Sequence, residues 1–495
     1  MDISQAKQEL RQTVRAYTAK TEDGLYRMPR EKQRPVLLMG PPGIGKTAIL
    51  TQLAQEEHIG LVSYTMTHHT RQSALGLPVI VERTAAGRQY RATAYTMSEI
   101  IAAVYEQMEK TGLREGILFL DEINCVSETL MPAILQMLQN KTFGVHALPE
   151  GWMIAAAGNP PRYNQSARSF DMATLDRVRR IELEPSLAAW QTYAAARGVH
   201  PAILAYLRLH PEHFFVCDAQ RAAGNFVTAR GWEDLSALLL SYETLGFICT
   251  QEQAQEYLHV PQIAAGFAAF YALFRRFSAS VPLEQILRGC VCAQAEPLRA
   301  LPFEGRLSVV EFLLHSLQTQ TRVMEDSAAL AFSAGSFLAS VPAGPDYAAR
   351  AGAQLAARRR ALRVRKDCGV LCTQDEQRET TFLMRADAAL GAVQAVENTY
   401  AAVQSFASEA ERAAQNARAD TLRALENGLR FVRATFGDEQ ELWILLHGLR
   451  ACGAAAFLQK ENSAFYQELL TEATPEAKAA ALREALAANQ PTNPD

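Results

Sequence analysis

The octapeptide Gly40-Pro41-Pro42-Gly43-Ile44-Gly45-Lys46-Thr47 constrains this chain more than any other feature. It fits the pattern G-x-x-x-x-G-K-[ST], and its neighbours are those the pattern needs. The apolar run Val36-Leu37-Leu38-Met39 leads straight into it, and Ala48-Ile49-Leu50-Thr51-Gln52-Leu53-Ala54 follows with helical spacing. Glycines let a backbone wrap round a phosphate with its N–H groups pointing inward. The start of the following helix adds partial positive charge at the same spot. A polyphosphate is therefore expected in a cradle formed by Gly40, Pro41, Pro42, Gly43, Ile44, Gly45, Lys46 and Thr47. Lys46 is expected to neutralise the β- and γ-phosphates, and Thr47 to offer its hydroxyl to Mg²⁺.

A second apolar run, Gly116-Ile117-Leu118-Phe119-Leu120, ends on the acids Asp121 and Glu122. Ligands of open α/β sheets bind at such carboxyl ends. Asp121 is expected to hold Mg²⁺, which prefers few carboxylates and its own waters. Glu122 is suited to polarise an attacking water. An acidic pair at a strand end can also merely cap the next helix. ATP is expected rather than GTP, because the nearest string to a guanine-reading N-K-x-D, Asn140-Lys141-Thr142-Phe143, lacks the aspartate.

The surrounding pattern gives the fold class. Short apolar runs at Pro35–Met39, Leu61–Thr65, Gly116–Leu120, Trp152–Ala157 and Arg179–Leu183 alternate with helical patterns. Buried strands separated by helices indicate a five-stranded parallel sheet covered on both faces, an αβα sandwich. Two stretches interrupt it as insertions. Pro78–Tyr95 reads as a β-hairpin around Thr84-Ala85-Ala86-Gly87, and Lys141–Gly151 is a short excursion before the fourth strand. Beyond Glu184 helical spacing takes over. Leu390, Val393, Val396, Tyr400, Val403 and Phe406 form one stripe, and Leu422, Leu425, Leu429 and Val432 another. The expected division is a helical lead-in at 1–34, an α/β core at 35–183, a helical lid at 184–289 and an all-helical region at 290–495.

Bulk composition excludes little. The 495 residues are enough for two to four domains, and 49 basic against 53 acidic residues leave a net charge of −4, no signature of nucleic-acid binding. The cysteines are sparse and scattered, and the close pairs Cys290/Cys292 and Cys368/Cys372 have no histidine nearby in sequence, so reduced thiols are expected rather than a zinc site. The charged N-terminus and the lack of an apolar run of ~18 residues give the expectation of a cytoplasmic protein without a membrane span.

With GPPGIGKT, LFLDEIN, AAAGNPP and LDRVRR in this order, the chain resembles the AAA+ ATPases. The hairpin with its Leu75-Gly76-Leu77-Pro78 lead and the excursion before the fourth strand resemble inserts of the MoxR-like and dynein-related branch. The likeness covers roughly Gln33–Leu240 and leaves the C-terminal half unassigned. It implies a ring, usually a hexamer, with ATP bound between subunits. Asn159 matches the polar residue that senses the γ-phosphate, although an asparagine before proline also suits a turn. Arg177 matches the finger that reaches a neighbour's γ-phosphate, with Arg179 and Arg180 as alternatives. Arg230, following Thr228 as a potential N-cap, matches the sensor of the lid helix, with Arg221 as its alternative.

Three readings of function follow. The first is a motor that remodels or matures a protein client, for which a partner with a von Willebrand factor A domain is implied by the MoxR-like branch. The second is a nucleotide-switched scaffold with slow turnover. A nucleic-acid motor is the third, disfavoured by the acidic balance. Arg83, Arg88 and Arg91 of the hairpin, and Arg358, Arg359, Arg360, Arg363, Arg365 and Lys366 further on, are either partner contacts or solvated faces.

Overall fold

The computed structural model describes residues 1–68, 74, 76–85, 88–143, 145–163, 166–217, 225–289, 295–344, 346–391 and 396–472. They form two compact units. The first comprises Met1–Ala189, Phe215–Gly231 and Gly344–Val396; the second comprises Trp190–Phe214, Trp232–Ala343 and Glu397–Asp495.

The first unit is built on a parallel sheet. Its strands are β1 (Val36–Met39), β2 (Gly60–Thr65), β5 (Gly116–Asp121), β8 (Trp152–Gly158) and β9 (Arg179–Glu182), in the spatial order β2-β5-β8-β1-β9. Residues Val36–Met39 of β1 and all of β8 are buried, so these strands read as continuous apolar runs rather than alternating ones. At the amino ends Gly60, Gly116 and Trp152 lie in register across β2, β5 and β8. The indole of Trp152 lies so close to both glycines that a Cβ on either would approach it within 2.9 Å.

The hairpin of β3 (Pro78–Ala85) and β4 (Arg88–Tyr95) pairs from Pro78↔Tyr95 to Ala85↔Arg88; its turn residues 86 and 87 lie outside the described residues. The excursion is a two-residue ladder of β6 (Thr142–Phe143) and β7 (His146–Ala147). Helix α1 (Ile3–Thr18) opens with a capping box of Asp2 and Gln5, and buries Ala6, Leu10 and Val14 against the sheet face that holds Val36, Leu38 and Phe119.

The helices Tyr347–Asp367 and Thr373–Gly391 pair with each other and lie against the α/β core. Gln55 Nε2 donates to the Leu371 carbonyl at 3.1 Å, and Gln107 Nε2 to that of Cys368 at 2.9 Å. The dense basic stretch is largely paired within this hairpin. Arg358 makes a two-pronged ion pair with Glu379 at 2.7 and 2.8 Å and lies over the Phe382 ring, Arg359 pairs with Asp387, and Lys366 with Glu376.

The second unit is helical. The long helix Phe303–Ser340 packs on Pro201–Leu209, Pro261–Ser280 and Gln440–Ala451. Its core gathers Leu313, Leu317, Leu425, Leu429, Val432 and Leu445, so the stripe from Leu422 to Val432 is a core face. Of the other expected stripe, Leu390 lies in the helix Thr373–Gly391 and Tyr400, Val403 and Phe406 lie in the helix Val396–Phe436, while Val393 lies outside the described residues.

Candidate functional site

Sheet order creates the site. Strand β8 lies between β5 and β1, so the residues following three adjacent strands meet at one edge: Asp121 and Glu122 from β5, Asn159 from β8 and the loop Gly40–Gly45 from β1. The loop then feeds α2 (Lys46–Glu56), whose first amides have no acceptor within the helix. Gly43 at φ +72° and Gly45 at φ +96° occupy the left-handed region that the turn into α2 requires. A Cβ on Gly43 would also stand 2.9 Å from Thr228. Beside the loop opens a cleft of about 340 Å³, lined by Met39, Gly40, Pro160, Arg162, Arg180 and Leu183.

Lys46 is buried, and its Nζ donates to the carbonyls of Gly40 and Pro41 at 2.9 Å each and to Asn159 Oδ1 at 2.8 Å. Burial pulls its ammonium down to about 8; the Arg230 guanidinium adds to that, while Asp121 and Glu122 oppose it. Thr47 Oγ1 donates to Asp121 Oδ2 at 2.9 Å. A hydroxyl and a carboxylate meeting at one point suit Mg²⁺, a hard cation that takes few protein oxygens and keeps its waters. These two residues would hold it, and the cation would there screen phosphate charge.

Adjacent acids take different directions. Glu122 sits at φ +56°, a left-handed backbone unusual for a non-glycine residue. Its Oε2 accepts from Thr67 Oγ1 at 3.1 Å, beyond the end of β2, whereas Asp121 faces Thr47.

Asn124, two residues further, is fully buried and clasps the peptide of Asn159. Its Oδ1 accepts from the Asn159 N–H at 3.2 Å, and its Nδ2 donates to the Asn159 carbonyl at 2.7 Å and to that of Arg168 at 3.3 Å. Asn124 thus fixes the residue that holds Lys46. Neither Thr67 nor Asn124 was legible as a site residue. Thr67 lies in no recognisable pattern; for Asn124 the available signal was an amide two residues past the acidic strand end.

The arginines sort by partner. Arg179 donates to Thr13 Oγ1 and Glu9 Oε1 at 2.7 Å each, tying β9 to α1, and Arg180 pairs with Glu182. Arg177 is exposed, with Nη1 donating to the Ala173 carbonyl at 2.9 Å. Arg230 is exposed in the first turn of the helix Ala229–Leu245, where Thr228 Oγ1 accepts from the Gly231 N–H at 3.3 Å as an N-cap does. Arg221 lies outside the described residues, as do Cys290 and Cys292.

A glycine-bounded loop after β1, acids at the end of β5 and a polar residue just past the intervening strand define the class: this is a P-loop nucleoside-triphosphatase core. Residues 35–178 match the family model of the AAA domain, dynein-related subfamily, and this segment is an AAA+ ATPase domain of that branch. No curated protein matches the chain. Among the described residues no single helix is long and apolar enough to cross a membrane.

Proposed function

We propose that the protein is a Mg²⁺-dependent ATPase of MoxR-like type, which assembles into a ring, usually of six subunits, and couples hydrolysis to remodelling or maturation of a protein client. The observation that carries this reading is that two side-chain pairs, Lys46 with Asn159 and Thr47 with Asp121, form at the same sheet edge. Lys46 and the loop amides would bind the β- and γ-phosphates. Glu122, aimed away from Thr47, is placed to accept a proton from an attacking water, and Asn159 to orient the terminal phosphate. Arg230, close enough to depress the Lys46 ammonium, would contact the same phosphate from the lid helix.

Arg177 serves as the finger reaching a neighbouring subunit. Its rivals are engaged within their own subunit, and beside it Met172 is 88% exposed, an apolar side chain suited to a subunit interface. The hairpin, with Ile80 76% exposed and Leu77 and Tyr90 also exposed, offers the client an apolar contact. A client or adaptor containing a von Willebrand factor A domain fits the MoxR-like branch.

Nucleotide binding and turnover test this reading. Lys46→Ala should abolish Mg·ATP binding, and Glu122→Gln should bind ATP without hydrolysing it. Retained affinity in the first variant would refute the cradle, and normal turnover in the second would remove Glu122 from the chemistry.

A further inference from the structure

Away from the nucleotide site, one turn brings three metal-ligating side chains together. The helix Pro201–Leu209 ends at His210, and Pro211 starts the short turn Pro211–His213. The Glu212 carboxylate Oε1 lies 3.5 Å from His210 Nδ1 and 3.7 Å from His213 Nε2, and the three ligand atoms are all within 4.8 Å of one another. In a tetrahedral zinc site with bonds of about 2.0–2.2 Å, ligand atoms stand about 3.3–3.5 Å apart. Two of the three edges are therefore close to their final length. The third needs only a rotation of the His210 side chain, which is 44% exposed.

The supporting contact is in place as well. Tyr206 Oη lies 2.9 Å from His213 Nδ1. The Tyr206 ring is buried and set edge-on against Phe267 at 5.4 Å, so its hydroxyl is a fixed point. With Nδ1–H given to that hydroxyl, His213 presents the Nε2 lone pair toward Glu212. In that tautomer a cation would lie between the Nε2 lone pair and the Glu212 carboxylate; in the other, Nε2–H faces Glu212 directly. Second-contact partners of this kind set the tautomer and orientation of ligating histidines. Two imidazoles and one carboxylate form a nitrogen-rich set that suits zinc and its neighbours; Mg²⁺ and Ca²⁺ favour oxygen alone.

We propose that His210, Glu212 and His213 form a binding site for one divalent transition metal, zinc foremost, with a solvent-facing fourth position left for water. The site stands apart from the nucleotide-binding reading and does not depend on it.

Zinc titration of the full chain, free of any histidine tag, stripped with chelator and kept in excess Mg²⁺, tests the site. One equivalent should bind with micromolar or tighter affinity. His210→Ala and Glu212→Gln, both at exposed positions and checked for folding by circular dichroism, should each lose it. Tyr206→Phe keeps the buried ring and should weaken binding about 10-fold through loss of the supporting hydroxyl. Asp121→Asn should leave zinc binding unchanged. Absence of zinc uptake by the unaltered protein, unaltered affinity in His210→Ala and Glu212→Gln, or loss of binding in Asp121→Asn would each overturn the assignment.

Discussion

Lys46 turns nucleotide binding into a proton-coupled event. Its ammonium is pulled from 10.5 to about 8 by burial beside Arg230, against the pull of Asp121 and Glu122. That shift corresponds to about 3 kcal/mol against the charged form. The unfolded chain keeps this proton up to about pH 10.5, whereas the folded, nucleotide-free chain loses it from about pH 8. The cost of burying the charge is therefore fully present below pH 8 and is relieved as pH rises from 8 to 10.5, so stability increases across that window. A polyphosphate against Nζ should return the group to its ordinary range. At about pH 9 only about a tenth of the free sites carry the proton, so binding should take up about 0.9 proton. Affinity should fall about 25-fold between about pH 7 and about pH 9.5. Isothermal titration of Mg·ATP in buffers of differing ionisation enthalpy reads the uptake directly, and Arg230→Ala should reduce it by removing the nearby cation. A flat affinity profile with no proton uptake at pH 9 would refute the reasoning.

Further expectations follow from the same contacts. Asn124→Ala removes both bonds to the Asn159 peptide and leaves buried groups unpaired; it should cost about 1–3 kcal/mol of stability, read by denaturant unfolding, and lower kcat more than ATP affinity. Gly43→Ala forces a side chain into a left-handed position 2.9 Å from Thr228, and should weaken nucleotide binding measured by fluorescence titration while raising the unfolding rate. Arg177→Ala subunits mixed with Lys46→Ala subunits should regain part of the ATPase activity, and no recovery would argue against a finger acting between subunits. In the helical unit, Arg208→Ala strands the fully buried Glu311 carboxylate without its ion-pair partner, and should cost about 3–5 kcal/mol in chemical unfolding.

Much of the architecture was legible because the sheet is covered on both faces. Strands such as Trp152–Gly158 are buried at every position, so burial wrote them as unbroken apolar runs that no surface helix would carry. The hairpin was equally plain, with its ladder running from Pro78↔Tyr95 to Ala85↔Arg88. Packing between distant segments was not legible. Among the described residues, the glutamine side chains Gln55 and Gln107 mark where the helices around 347–391 meet the core, and both read backbone carbonyls, which every residue possesses.

The candidate site shows the same division at the scale of single residues. Sequence assigned Asp121 to Mg²⁺ and Glu122 to an attacking water, on their order along the chain. The backbone separates them physically. Holding Glu122 at φ +56° costs about 1–3 kcal/mol for a residue with a side chain. In return, consecutive carboxylates point to different partners, Asp121 to Thr47 and Glu122 to Thr67. A relaxed extended residue would alternate sides along the strand and carry Glu122 towards the sheet face. The strained turn keeps both acids at the edge yet apart, one beside the helix that begins at Lys46 and the other beyond the end of β2. On the function proposed above, that division would let one acid hold a cation while its neighbour stays available as a base.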